Sequence, residues 1–131
     1  MIFVARTDEH KAILAAWAME RIPGCEGGFG DPFSALAIWR GDEMTAVVIY
    51  SGFRGSPERD FQCEIIMAAD TPRWATPQTL HFILHYGLVN LGCRRMLAIT
   101  KAKNRRVHKL LNGIGFVKEG YHRDMFEDGD A

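Results

Sequence analysis

Cysteine is scarce in this chain: Cys25, Cys63 and Cys93 are the only three among 131 residues. Their number is odd, their spacing is wide and no CxxC pair occurs, which excludes a zinc ribbon and a dithiol redox motif. Cys63 and Cys93 sit in apolar runs, where a free thiol behaves as a small buried hydrophobe. A reducing, cytoplasmic setting is therefore expected. Net charge is missing as well. Lys plus Arg number 16 and Asp plus Glu number 16, so no overall field draws the chain to nucleic acid or to a membrane. No apolar run approaches the roughly 20 residues that span a bilayer, and no membrane partner is expected. The first five residues lack a basic leader and a cleavage site, and acidic Asp8 and Glu9 follow, so they do not read as a signal peptide. Internal repeats and low-complexity tracts are absent too.

What is present is the composition of an ordinary globular protein. A length of 131 residues fits one domain, 1–131, able to bury roughly two thirds of its unfolded surface. Residues 2–5 read as a strand. Thr7 or Asp8 caps a helix whose apolar face is Ile13, Leu14, Trp17, Ala18 and Ile22. Pro23-Gly24 stops it, and a glycine-rich loop runs to Pro32. Strands follow at 34–40, 44–53 and 59–69, separated by Gly41-Asp42 and Gly55-Ser56-Pro57. This is an antiparallel meander.

The pattern then changes. After a loop over 70–76, Thr76-Pro77 is a helix start: a capping hydroxyl, then proline at the first helical position. Leu80, Ile83, Leu84, Leu88 and Leu91 carry that helix to Gly92. A strand over 93–100, a helix over 104–114 and a strand opening at Gly115-Phe116-Val117 complete the order β-α-βββ-α-β-α-β. The expected class is mixed α+β, a central mixed sheet with helices on both faces.

The last third carries a motif. Asn104 through Gly120, with Gly115-Phe116 and Glu119-Gly120, resembles the N-x-x-S/A-x-x-x-x-x-x-x-G-F-x-x-E-G signature of GNAT acetyltransferases, and Arg123 extends it. The resemblance is greatest to the branch that acetylates ribosomal-protein N-termini and to small phage-encoded relatives. It implies a cytoplasmic N-acetyltransferase that moves an acetyl group from acetyl-CoA to a primary amine by direct attack, with no metal. The family's final strand follows a G-D-A sequence, and this chain stops at Gly129-Asp130-Ala131, so that strand is expected to be missing. An uncovered sheet edge invites pairing with a second copy, which makes a homodimer a partner to test.

In the family, the fourth strand pairs with the pantetheine arm, which here implicates Ile66, Met67 and Ala68. The pyrophosphate sits on amides at the next helix start, where unpaired N–H groups favour anions. The matching residues are Arg73, Thr76, Gln78 and Thr79, with Thr76 and Gln78 where the family has small residues. Asn104 and Arg106 complete the implied cofactor set. Glu64, on the fourth strand, matches the family's general base, and the alternative is a solvent-facing strand carboxylate. Where the family places a tyrosine acid this chain has Leu111, and where a branch serine stands it has Val107. His108 and Tyr121 are the remaining proton donors for the thiolate, His108 also reading as an exposed helix residue.

Other groups stay open. His81 and His85 are four apart on one helix, a zinc-compatible spacing, but no third ligand is apparent. The basic run Arg94, Arg95, Lys101, Lys103, Arg105, Arg106 and Lys109 reads as cofactor phosphate contact, as nucleic-acid backbone contact, or as a solvated face. A GNAT-fold protein that binds without catalysis, and a phage-type nucleic-acid-associated modifier, are the alternative functions.

Overall fold

The computed structural model describes residues 1–22, 24–25, 27–56, 58–98 and 105–117. The chain divides into two compact units, Met1–Leu97 and Ala98–Ala131. In the first unit the elements are β1 (Ile2–Val4), α1 (Asp8–Met19), β2 (Ser34–Arg40), β3 (Glu43–Ser56), β4 (Arg59–Ala69), a single 3₁₀ turn (Pro72–Trp74), α2 (Pro77–His85), a π-helical turn (Tyr86–Asn90) and β5 (Arg95–Leu97). The five strands form one sheet in the order β1-β2-β3-β4-β5. The first four are antiparallel to their neighbours and β5 is parallel to β4. The mixed sheet and the α+β class are as expected from the sequence.

α1 and α2 begin where side-chain chemistry dictates. Thr7 caps α1, its hydroxyl accepting from the His10 N–H at 3.1 Å. Acidic Asp8 and Glu9 occupy the first turn, where they complement the helix dipole. The apolar face differs in phase from the expected one. Leu14, Ala15 and Ala18 are buried, whereas Ile13 is 54% exposed. Alanines at 18, 35 and 37 let α1 lie close on the sheet, and bulk at the contact is left to Leu14, Val47 and Ile49.

The second face of the sheet receives α2. Tyr50, fully buried, donates its hydroxyl to the Ile83 carbonyl at 2.6 Å, and its ring packs on Tyr86 at 5.5 Å. The sequence predicts one helix to Gly92. Instead, regular helix ends at His85, and the Leu91 N–H reaches back five residues to the Tyr86 carbonyl at 2.9 Å. Gly87, buried inside this wider turn, lies against Met96 and Tyr50, where a side chain would collide.

The second unit contributes α3 (Arg105–Gly113), with Leu111 buried and Arg105, Arg106 and Lys109 exposed. Residues 115–117, read from the sequence as the opening of a strand, are a turn and irregular chain after α3, and the Phe116 N–H closes on the Leu111 carbonyl at 2.9 Å. Asn104, Tyr121, Arg123, Lys101, Lys103 and the Gly129-Asp130-Ala131 end lie outside the described residues. No helix among the described residues is long and apolar enough to cross a membrane.

Candidate active site

The sheet opens on one edge. β4 runs for 11 residues, but β5 pairs with only three of them: Gln62 with Arg95, Cys63 with Met96, and Glu64 with Leu97. Past Glu64, no described residue pairs with β4 on that side. Strand alternation decides which backbone groups face the opening. The Asp70 N–H binds the Thr45 carbonyl of β3 at 3.0 Å, and the Phe61 carbonyl accepts from the Arg94 N–H on the β5 side at 2.8 Å. Even-numbered residues of this stretch therefore turn their amides to β3 and odd-numbered ones to the opening. Of the three β4 residues that the sequence nominates for the cofactor, Met67 has its amide on the free edge. Ile66 and Ala68 are committed to β3, opposite Ile49 and Val47.

Glu64 stands at the fork, paired with Ser51 on one side and Leu97 on the other. Its side chain shares a face with Ile66 and Ala68, the face that α1 covers, and it is half-buried. β3 bulges beside it. Ser51 pairs with Glu64 and Arg54 with Gln62, so Gly52 and Phe53 stand opposite the single residue Cys63. Gly52 has φ of +61°, a left-handed conformation that glycine adopts without cost. A β-carbon there would lie 3.5 Å from Glu64 Oε2, so the missing side chain leaves one flank of the carboxylate open. The sequence holds a signal for this, an isolated glycine within a strand pattern.

The helix start beyond β4 is more closed. The Thr76 hydroxyl accepts from the Thr79 N–H at 3.2 Å and is hydrogen-bonded to the Thr79 hydroxyl at 2.9 Å. Pro77 has no N–H, and the Leu80 N–H is spent on the Thr76 carbonyl at 2.9 Å. The first turn of α2 thus keeps one amide donor, that of Gln78, for an anion. The loop leading to it is tied down by Arg21. Its Nε and Nη2 donate to the Asp70 carboxylate at 2.7 and 3.2 Å, its Nη1 donates to the Trp17 carbonyl at 3.0 Å, and its guanidinium lies 3.5 Å over the Trp17 ring. This tie between α1 and the end of β4 was not legible in the sequence, because its partners are 49 residues apart.

The remaining sequence candidates fall elsewhere. Arg73 is exposed and lines a cavity with Thr76 and Thr79. His108 is half-buried and Arg106 exposed on α3, in the second unit. His81 and His85 have ring centroids 6.1 Å apart, and the described residues hold no group of three His, Cys, Asp or Glu side chains suited to a metal ion.

No protein-family model and no curated protein sequence matches the chain. Solved structures do match. A chimeric spermidine N-acetyltransferase from Vibrio cholerae superposes with a TM-score of 0.71 at 12% identity, over 99% of this chain and 92% of that one. A GNAT-family acetyltransferase from Streptococcus pneumoniae gives 0.68 at 12% identity, over 96% and 90% of the two chains. An acetyltransferase from Bacillus subtilis, solved in complex with CoA, gives 0.68 at 16% identity, over 96% and 82%. At these identities the likeness shows the fold, which is that of the GNAT acetyltransferases.

Proposed function

We propose that the chain is an N-acetyltransferase that moves an acetyl group from acetyl-CoA to a primary amine. The observation that carries this reading is the fork at Glu64. The described pairing of β5 with β4 ends there, and further along Met67 turns its backbone N–H and C=O to the side on which no described residue pairs with β4. Those two groups suit the amides of a pantetheine arm, which would add itself to β4 as a short strand. The Gln78 N–H is the anion contact left at the start of α2.

Glu64 sits beside the end of that arm, open on its Gly52 flank. Its carboxylate takes a proton from the incoming ammonium, directly or through one water. The freed amine attacks the thioester carbonyl, the carbon–nitrogen bond forms, the carbon–sulfur bond breaks, and the CoA thiolate leaves with the electron pair. The new amide nitrogen gives its second proton to solvent, and the thiolate takes one from solvent. The acceptor is an amine, and spermidine, the acceptor named for the Vibrio cholerae neighbour, heads a panel of amines to try.

The test is Glu64→Gln. Turnover is expected to fall by about 10² to 10⁴, with CoA affinity unchanged. An unaltered pH–rate profile would remove Glu64 from the role.

A second reading, a binding protein of this fold without catalysis, is favoured by the Thr76–Thr79 cap, which consumes donors that a pyrophosphate would use. Calorimetry separates the two. Acetyl-CoA binding tighter than about 1 mM, in the usual range of enzyme substrates, supports the enzyme, and no heat at that concentration supports the second reading.

A further inference from the structure

The edge of the sheet opposite the fork is β1, and among the described residues no strand pairs with its outer side. Its bonds to β2 decide what it offers there. The Met1 carbonyl accepts from the Trp39 N–H at 2.8 Å, and the Ala5 N–H donates to the Ala35 carbonyl at 3.0 Å. The terminal ammonium is also turned inward, donating to the Trp39 carbonyl at 3.0 Å. Odd-numbered residues therefore face β2, and Ile2 and Val4 turn their backbone N–H and C=O outward. Edge strands are ordinarily guarded by charged side chains, proline or a bulge. Residues 1–5, Met-Ile-Phe-Val-Ala, hold no charged side chain and no proline, and the β1–β2 register is unbroken.

The ground beside this edge is apolar. Phe3 stands opposite Ala37, on the sheet face that α1 covers. α1 packs mainly on β2 and β3, and Phe3 stays 41% exposed. Its ring meets His10 of α1 edge-on, with centroids 5.2 Å apart. Ile13 is exposed three residues further along α1, on the same flank as His10. Phe3, His10 and Ile13 thus line a bare strip between the helix and the edge.

We propose that this edge is the interface of a homodimer, in which two copies of β1 pair antiparallel about a two-fold axis at Phe3. The register is self-complementary. With Phe3 opposite the partner's Phe3, Ile2 comes opposite the partner's Val4, and each gives one hydrogen bond and takes one. The paired strands bring no like charges together, because neither carries a charged side chain. The two Phe3 side chains form an aromatic cross-strand pair on one face, a contact that stabilises sheets. A foreign strand would satisfy the backbone of Ile2 and Val4 alone, whereas a second copy brings its own Phe3 and Ile13 to the strip. The interface goes beyond the acetyl-transfer reading and does not depend on it, since Glu64 lies on β4, toward the other edge.

The experiment is sedimentation velocity of the full chain from about 1 to 100 μM, a range that brackets micromolar affinity. A monomer–dimer equilibrium with no larger species is expected, because an isologous contact closes on itself. Phe3→Glu sets like charges directly opposite and is expected to weaken the dimer about tenfold or more. Val4→Pro deletes an outward N–H without touching a bond to β2, and is expected to weaken it by a similar factor. Circular dichroism verifies that both variants fold. Phe3→Cys in a Cys25→Ser background tests the register without weakening the contact. It puts two thiols on facing Cα atoms about 4.5 Å apart, within disulfide reach, so copper–phenanthroline should link the copies, and should link Ile2→Cys far less. The proposal is overturned if the chain stays monomeric at about 100 μM, if open-ended oligomers form instead, if the dimer survives both Phe3→Glu and Val4→Pro, or if Phe3→Cys links no faster than Ile2→Cys.

Discussion

Arg21 and Asp70 are 49 residues apart in the chain, yet the Arg21 Nε lies 2.7 Å from Asp70 Oδ1 and its Nη2 3.2 Å from Oδ2. The pair joins the end of α1 to the residue at which β4 becomes the loop before α2. Stacking on Trp17 and a bond to the Trp17 carbonyl hold the guanidinium in place. The hydrogen bond from Arg21 holds the Asp70 carboxyl below the usual carboxylate range. A depressed carboxylate contributes stability above its unfolded pKa of about 3.9, and that contribution is lost as pH falls through the lower folded value. Both groups are solvent-accessible, so the effect is modest and salt-dependent.

Asp70→Asn is therefore expected to lower the melting temperature slightly at pH 7 and to have progressively less effect as pH falls through the lowered folded value, where the parent loses the same interaction. Thermal melts of the two proteins from pH 2 to 7 check this. A constant difference across that range would mean that the carboxylate charge is irrelevant. Because the pair anchors the loop leading to Gln78, the acetyl-CoA KM of the variant should also rise.

Cys63 and Cys93 bear on alkaline stability. Both are buried, and burial pushes both thiols up, Cys63 to about 12, where a hydrogen bond to the Cys93 sulfur adds to the effect. A raised folded pKa gives stability that is complete below the unfolded thiol value of about 8.5 and is lost as pH climbs toward the folded one. Stability should thus decline from about pH 8.5 upward, and Cys63→Ala, although less stable at pH 7, should decline less steeply. Denaturant melts between pH 7 and 10.5 measure both slopes. A thiol-exchange reagent at pH 8 should label half-buried Cys25 first, with Cys63 and Cys93 reacting only on unfolding.

Sequence reading succeeds here where local chemistry is decisive. Thr76-Pro77 is a helix start whatever lies around it, and the breaks at Gly41-Asp42 and Gly55-Ser56-Pro57 mark a meander that the register bears out. The position of Glu64 on the fourth strand follows from the same counting. The phase of α1 did not follow, because Ala15 carries too little apolar bulk to outweigh Ile13 in a periodicity, although Ala15 is buried and Ile13 is not. Neither did the length of the β4–β5 pairing, the Arg21–Asp70 tie or the cavity that Arg73 lines. Each is made by residues that only the assembled sheet brings together. The π-helical turn at Tyr86 escaped for a related reason: Gly87 is demanded by Met96 and Tyr50, not by its neighbours in the chain.

Gly52 should govern access to Glu64. Alanine at φ +61° is strained by about 1 kcal/mol, whereas asparagine tolerates that conformation. Gly52→Ala is expected to lose about that much stability, and Gly52→Asn less. Both put atoms 3.5 Å from Glu64 Oε2, on the flank that the glycine leaves open. Both should therefore raise the acceptor KM, most for branched amines, while leaving CoA affinity alone. Steady-state kinetics across the amine panel will decide. An equal effect on the KM for acetyl-CoA would show that the substitution had disturbed the strand and not the approach.

The contact between Tyr50 and the second helix layer can be tested without any assay of activity. Tyr50→Phe removes the hydroxyl that donates to the Ile83 carbonyl, which the Tyr86 N–H also reaches, and should cost about 1 kcal/mol. Gly87→Ala places a methyl against the Met96 sulfur and 3.2 Å from the Tyr50 ring. The thioether can swing aside but the fully buried ring cannot, so overpacking of about 1 to 3 kcal/mol is expected. The two changes meet at one ring and should not add. A Phe ring freed from the Ile83 carbonyl can retreat from the new methyl, which makes the double variant more stable than the sum of the single losses. Urea unfolding of the four proteins measures this coupling. Strict additivity would mean that Tyr50 and Gly87 do not constrain each other across the β3–helix interface.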